Sequence, residues 1–300
     1  MSTDISSKTQ IAMSIASTNG RTTPDATAAG GASSSHGPRP IRVLQLTDLH
    51  LYGDPEGRLL GQNTRRTFEL VIERAQASHW PPDVILLTGD LIHDEHIAGY
   101  RFLKERLARL RVPCHCIPGN HDRVDLLGSH LDADAVADFR TRVLGPWDLA
   151  LLDSTIPGEE GGRLQQRSLD GLDRHLTEHP TRPTLVCLHH QPVPVGSRWM
   201  DSMMVENGAA LLALARRHDN LRGIIWGHVH QAFREVRHDT LLLATPSTCV
   251  QFMPAAESFA LDPLPPGYRW LTLHPDGVID TGIERIDAYP DPLEQRSHGY

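Results

Sequence analysis

Five short stretches of the 300-residue sequence carry oxygen and imidazole donors in close succession. They are Asp48-Leu49-His50, Gly89-Asp90, Gly119-Asn120-His121-Asp122, His189-His190 and Gly227-His228-Val229-His230. A mix of carboxylate, amide and imidazole suits divalent iron, manganese, zinc or cobalt, and offers no thiolate for purely soft metals. Seven such side chains are enough for two metals when one carboxylate bridges them. Two metals about 3.5–4 Å apart can clamp the attacking and leaving oxygens of an in-line phosphoryl displacement. They also lower the pKa of a bound water toward about 7, which supplies hydroxide at neutral pH. Asp-x-His and Gly-Asp are common turn chemistry when they stand alone. All five stretches together, each after an apolar run, are a specific signal.

The elements that must position these residues alternate between strand and helix. Apolar runs predict strands at Ile41–Leu46, Val84–Leu87, Cys114–Ile117, Leu149–Leu152, Thr184–Leu188 and Gly223–Trp226. Five of the six run straight into a donor stretch. Ligands in open α/β sheets bind outside the carboxyl ends of strands, so the five ends are expected to converge. Helices are predicted where Phe68, Leu70, Val71, Ile72 and Ala75 share a face, over Tyr100 to Leu110, at Leu169, Leu172 and Leu176, and at Leu211 to Ala215. Asn63 or Thr64 is the candidate cap of the first. Past Trp226 the helical pattern stops. Phe233–Val236, Leu241–Ala244, Tyr268–Leu273 and Val278–Ile283 read as strands joined by turns such as His238-Asp239 and Pro275-Asp276-Gly277.

Composition narrows the function classes. The chain has 29 basic and 37 acidic residues, a net charge of −8, which counts against a nucleic-acid or anionic-membrane binder. An acidic protein can still act on an anionic phosphoester, because bound metals supply the local positive charge. Eighteen histidines stand against four scattered cysteines, too few for a disulfide scaffold. No apolar run reaches a membrane span, and no secretory signal is visible, so the expectation is a soluble cytoplasmic protein. Residues 1–38, rich in Ser, Thr, Ala and Gly, are expected to form a disordered tail. Residues 39–288 are expected to form one domain, and 289–300 a polar tail or surface strap.

The donor blocks resemble those of the calcineurin-like metallophosphoesterases: D-x-H, G-D, G-N-H-[DE], H and G-H-x-H. The resemblance runs over roughly residues 40–300. Beyond the metal blocks it includes Leu60-Gly61-Gln62-Asn63-Thr64, the segment from His189 to Asp201, Ala244 to Phe252, Pro265-Pro266-Gly267-Tyr268-Arg269-Trp270 and the closing Gly299-Tyr300. These longer stretches are similar to the bacterial class III branch, which hydrolyses 3′,5′-cyclic nucleotides. The resemblance implies a four-layer α/β/β/α sandwich of two mixed sheets. It implies that Asp48, His50 and His230 hold one metal, that Asn120, His189 and His228 hold a second, and that Asp90 bridges them. It also implies that His50, Asp90, Asn120, His121, His189 and His230 contact substrate, with His121 as proton donor to the leaving ribose 3′-oxygen. The implied metals are two divalent ions, iron or manganese, with zinc or cobalt as options, and the implied reaction is cyclic AMP to 5′-AMP. Two positions depart from the pattern. Gln191 stands where close relatives can carry a histidine. The carboxylate that orients the acid histidine in related phosphatases falls at His93 here, with Asp94 next, so no orienting partner is assigned.

Other candidates carry less. His190 is expected to pack behind the ligands, His93 and His96 to sit at a solvated helix start, and His115 to be a satisfied core or interface residue. Arg198 is an apt phosphate contact and Trp199 an apt stacking surface for adenine, against the ordinary alternative of a packed loop. The remaining alternatives for function are a broad phosphodiesterase or phosphomonoesterase with the same site, and a non-catalytic metal- and nucleotide-binding regulator. The oligomeric state is left open.

Overall fold

A computed structural model of the chain describes residues 39–131 and 137–294. The expected tail at 1–38 and the closing Gly299-Tyr300 lie outside these residues. In chain order the elements are β1 (Ile41–Leu46), β2 (Arg58–Leu59), β3 (Gln62–Asn63), α1 (Thr64–Ser78), β4 (Val84–Thr88), α2 (Ile97–Leu110), β5 (Cys114–Ile117), α3 (Val124–His130), β6 (Phe139–Leu144) and β7 (Trp147–Leu152). They continue with α4 (Gln166–Glu178), β8 (Thr184–Cys187), α5 (Arg198–Asp201), α6 (Gly208–Arg217), β9 (Leu221–Trp226), β10 (Phe233–Arg237), β11 (Thr240–Ala244), β12 (Gln251–Phe252), β13 (Leu261–Asp262), β14 (Gly267–Leu273) and β15 (Ile279–Arg285).

Two sheets face each other. One has the order β15-β14-β1-β4-β5, the other β10-β11-β9-β8-β7-β6. Both are mixed: β1, β4 and β5 run parallel, with β14 antiparallel to β1, and β7, β8, β9 and β11 run parallel between antiparallel edges. Strands covered on both faces have no polar side, which explains why they are continuous apolar runs rather than alternating ones. Successive residues nonetheless serve different layers. Leu44, Leu46, Ile85 and Leu87 pack against Phe68, Val71 and Ile72 of α1 and Leu103 and Leu107 of α2. Val43, Val84 and Leu86 point the other way and meet Leu149, Leu151, Leu185, Cys187, Ile225 and Leu243 of the second sheet. Ala150, Val186, Ile224 and Leu242 close the outer layer against Leu169, Leu172 and Leu176 of α4 and Leu211 and Leu214 of α6. This is the expected four-layer α/β/β/α sandwich.

Local chemistry sets several boundaries. The Asn63 side chain caps α1 by accepting from Arg66 N. His238 and Asp239 both have positive φ and make the tight turn between β10 and β11. Two elements escape the sequence pattern. The edge strand β6 (Phe139-Arg-Thr-Arg-Val-Leu144) is mostly half-buried and lacks a continuous apolar run, and α3 buries only Leu127. The described part of the C-terminal segment lies across the β2–β3 hairpin. Gln62 Nε2 donates to the carbonyls of Asp291 and Pro292, and Glu294 N donates to Leu60 O. Among the described residues no helix is long and apolar enough to cross a membrane.

A polar network joins the two sheets just below the strand ends. Gln45 Nε2 donates to Thr88 Oγ1 and to Trp226 O, and Thr245 Oγ1 donates to Gln45 Oε1. Arg269, 3% exposed, crosses from β14 to the second sheet, donating to Thr245 Oγ1 and Ala244 O. Its third bond, to Thr281 Oγ1, stays within its own sheet. Buried polar groups are costly unless partnered, so each member holds the others in register. Arg269→Ala should therefore lower stability in urea denaturation by about 2–4 kcal/mol. A change below about 0.5 kcal/mol would show that the bridge adds nothing.

Candidate metal centre

The strand ends of both sheets deliver their donors to one buried cluster. Asp48, His50, Asp90, His189 and His230 are each at most 1% exposed and His228 is 6% exposed, while Asn120 and His121 sit half-buried at the rim. Asp48, His50, Asp90, His228 and His230 all have positive φ. Such a backbone costs energy for a non-glycine residue and is retained where its surroundings over-determine it. Here the loops brace one another: Asp48 N donates to Gly89 O, His50 N to Asp90 O, and His228 N to the Asp48 carboxylate at 2.9 and 3.1 Å. Gly119 and Gly227 are required by close approach. A Cβ on Gly119 would strike Asp90, and one on Gly227 would strike Thr47 and Asp48.

The donors fall into two groups around a shared carboxylate. His50 Nε2 lies 3.2 Å from His230 Nε2, and His230 Nε2 lies 3.4 Å from Asp48 Oδ1. On the other side His189 Nε2 lies 3.1 Å from Asn120 Oδ1. Asp90 reaches both, with Oδ2 3.7 Å from His50 Nε2 and Oδ1 3.4 Å from His189 Nε2. Outer bonds fix the ring orientations. His230 Nδ1–H donates to Val250 O and His189 Nδ1–H to Thr88 O, which turns each Nε2 inward. His228 Nε2 is buried with no hydrogen-bond partner. His190 bonds to Ser154 Oγ and Glu160 O, yet its buried ring also stands against His189 and His228 and offers a nitrogen to that group.

The electrostatics show what the cluster needs. Burial pushes the Asp90 carboxyl up, but His189, His121 and His50 outweigh it and hold it well below the usual range. Burial opposes charging His189, yet Asp90 beside it raises the imidazole to about 9. Burial holds His50 and His228 well below their ordinary value, in the neutral form that ligates metals. Two buried carboxylates, inward-facing imidazole nitrogens and a His228 Nε2 with no hydrogen-bond partner share one buried cluster. Oxygen and imidazole donors of this kind fit divalent cations.

Several residues around the donors have roles that the sequence reading did not assign. Asp122, last of the Gly-Asn-His-Asp block, accepts from Gly119 N, Leu91 N, Ile92 N and Tyr100 Oη, and so ties the Asp90 loop to the Asn120 loop. Burial and the nearby Asp90 charge push its carboxyl up to about 7. Ser247 Oγ donates to Asp48 O, and Phe252 stacks on the His230 ring at 4.1 Å. The Pro246-to-Phe252 stretch thus braces the first group of donors. His93 is not at a solvated helix start: α2 begins at Ile97, with His96 as its cap. His93 Nδ1 lies 3.3 Å from His50 Nδ1, and its ring stacks on His121 at 5.0 Å. Gln191 donates to Met200 O and shapes the loop that follows, away from the donors. Arg198 is exposed and pairs with Glu257, so it is not a phosphate contact in this structure. Trp199 instead lines a cavity of about 560 Å³ that opens from the donor cluster.

Comparison with known proteins agrees with this geometry. Residues 41–232 match the family model described as calcineurin-like phosphoesterase. A 3′,5′-cyclic adenosine monophosphate phosphodiesterase of Pseudomonas aeruginosa is 40% identical over 87% of this chain and 95% of its own length. The corresponding Escherichia coli K12 protein is 36% identical over 87% and 95%. A 3′,5′-cyclic-nucleotide phosphodiesterase of Nostoc is 36% identical over 85% and 96%. Among solved structures, a dimetal phosphatase from Danio rerio shares the fold, with a TM-score of 0.60 and 16% identity over 84% of this chain and all of the other. A yellow-lupin purple acid phosphatase does so with a TM-score of 0.59 and 13% identity over 86% of this chain and 53% of the other. Motif order, fold and relatives of nearly full length coincide, and the chain belongs to the calcineurin-like phosphoesterase family.

Proposed function

We propose that the chain hydrolyses 3′,5′-cyclic AMP to 5′-AMP at this centre, as a metal-dependent phosphodiesterase. The carrying observation is the convergence of seven donors on one buried point in a chain whose near-full-length relatives are named for that activity. When bound, a metal pair supplies Lewis acidity to the phosphoryl group and lowers the pKa of water. Asp48, His50 and His230 would hold one ion and Asn120, His189 and His228 the other, with Asp90 serving both. Iron and manganese are the proposed occupants, and the same donors accommodate zinc or cobalt. Among the described residues no lysine or arginine lines the cavity, so the negative phosphodiester meets neither side chain there. That fits a substrate whose charge is met by bound metal.

His121 is the proposed general acid. Its backbone N–H donates to Asp90 Oδ1 at 3.0 Å, which fixes its place at the rim. Its ring lies edge-on to His50 and stacked with His93, and it lines the cavity. From there it hands a proton to the ribose 3′-oxygen as that bond breaks. His50, Asp90, Asn120, His189 and His230 complete the phosphate-binding face. His93 packs on both rings, stacked on His121 and 3.3 Å from His50 Nδ1, and so takes the orienting place that a carboxylate fills in related phosphatases. The proposed setting is the cytoplasm, where the four free cysteines would stay reduced.

Metal-stripped protein reloaded with manganese or iron should convert cyclic AMP to 5′-AMP. Turnover of a generic aryl phosphodiester alone would replace this reading with a broad phosphodiesterase, and turnover of neither with a binding protein. His121→Ala should retain both metals by elemental analysis and lose roughly 10²–10⁴-fold in kcat. Unchanged turnover would remove His121 as the acid. Asp90→Asn should lower metal content below two ions per chain, and full occupancy would contradict the bridge.

A further inference from the structure

The cavity above the donor cluster has two chemically different ends. Asp90, Asn120, His121 and His228 form the polar end. Trp199, Met203, Phe252 and Phe259 line the other. The three aromatic rings meet edge to face, with centroids 5.1 Å apart for Trp199–Phe252, 5.5 Å for Trp199–Phe259 and 5.6 Å for Phe252–Phe259. Phe252 is fully buried and also stacks on His230, so the aromatic wall grows directly out of the donor cluster. Trp199 and Phe259 are half-buried and keep ring surface on the cavity.

We infer that this apolar end is a nucleobase subsite, in which Trp199 and Phe259 hold the base of a nucleotide whose phosphate sits at the donor cluster. The inference rests on the proposed cyclic-nucleotide activity and extends it to residues outside the metal blocks. A base offers a flat π-face and little charge, and the aromatic rings offer it a stacking surface. Glu159, Glu160 and Ser202 also line the cavity and place polar groups beside that surface, and the volume of about 560 Å³ leaves room for a nucleotide. The wall is also pre-set. Trp199 lies on the short helix α5, whose Asp201 carboxylate accepts from Val195 N and Gly196 N. Gln191 Nε2 donates to Met200 O, and Arg198 N donates to Ala256 O, which ties this loop to the segment carrying Phe259. A surface ordered before binding loses little freedom when a base docks. The neighbouring Met203 is an adaptable filler beside the rings.

The test is equilibrium binding to metal-loaded protein by calorimetry, with 5′-AMP, ribose 5-phosphate and inorganic phosphate as probes. Wild type should bind 5′-AMP more tightly than ribose 5-phosphate. Trp199→Ala should weaken 5′-AMP about 10–100-fold and change the two baseless ligands by less than about twofold. Trp199→Phe should restore most of the 5′-AMP affinity, because the ring face returns. Equal weakening of all three probes, or an unchanged affinity for 5′-AMP, overturns the subsite. The parent reading is scored separately on wild-type turnover. Base-dependent binding through Trp199 without hydrolysis of cyclic AMP would sink the activity and leave the subsite standing.

Discussion

Asp48 and Asp90 are carboxylates enclosed by protein, and among the described residues no lysine or arginine lines the cavity that Asp90 faces. An enclosed negative charge must be met, because desolvation costs far more than folding can spare. Part of the answer is local. His228 N–H and His121 N–H point at the two carboxylates, and the loops carrying them bond to each other. The rest is the ring of imidazoles, of which His189 is pulled to about 9 by the charge beside it. The arrangement is a template for cations rather than a self-sufficient ion pair. Five donor-bearing residues accept left-handed backbone to build it. Strain of that kind survives only on a stiff frame. The two buried sheets and the Gln45–Thr245–Arg269 bridge between them are that frame.

Much of this was legible in the sequence, for identifiable reasons. Strands covered on both faces have no solvent side, so Val43-Leu44, Val84–Leu87 and Gly223–Trp226 stand out as apolar runs without alternation. Donors placed where such runs end can only meet at one rim, and the structure brings all the predicted site residues there. Edge strand β6 was hidden because one-sided burial leaves Arg140, Thr141 and Arg142 in the run. His93 was hidden because three residues of chain after Asp90 do not lead outward. The 89–93 segment runs beside 48–51, with His93 N bonded to Leu51 O, and carries its ring back to His50. Asp122 was hidden because its work is with backbone N–H groups, which have no sequence signature. Arg198 and Trp199 were equally plausible as text. A short helix separates them, turning the charge to Glu257 and the indole to the cavity.

The site also divides its labour by distance along the chain. The donor blocks all precede Gln231, within the 41–232 span of the family match. What distinguishes the pocket comes from the loop after His189 and from residues 244–262. The same C-terminal stretch does two jobs. Ser247 and Val250 hold Asp48 and His230 in place, while Phe252 and Phe259 line the cavity. Changes to the aromatic wall are therefore separable from the metal centre at Trp199 and Phe259, and inseparable at Phe252, which touches His230.

One feature of the topology reaches beyond the finished molecule. Strand β1, which leads to Asp48 and His50, is flanked by β4 on one side and by β14 on the other. Its second neighbour is more than two hundred residues away, with Ile41 paired to Leu273. A ribosome makes the first ligand block long before the strand that completes its sheet. Closing so wide a loop is slow relative to local helix formation. A chain ending at 266 would keep every donor side chain and the β1–β4–β5 part of the sheet, but would lack the antiparallel neighbour that closes the other side of β1 and the Arg269 bridge to the second sheet.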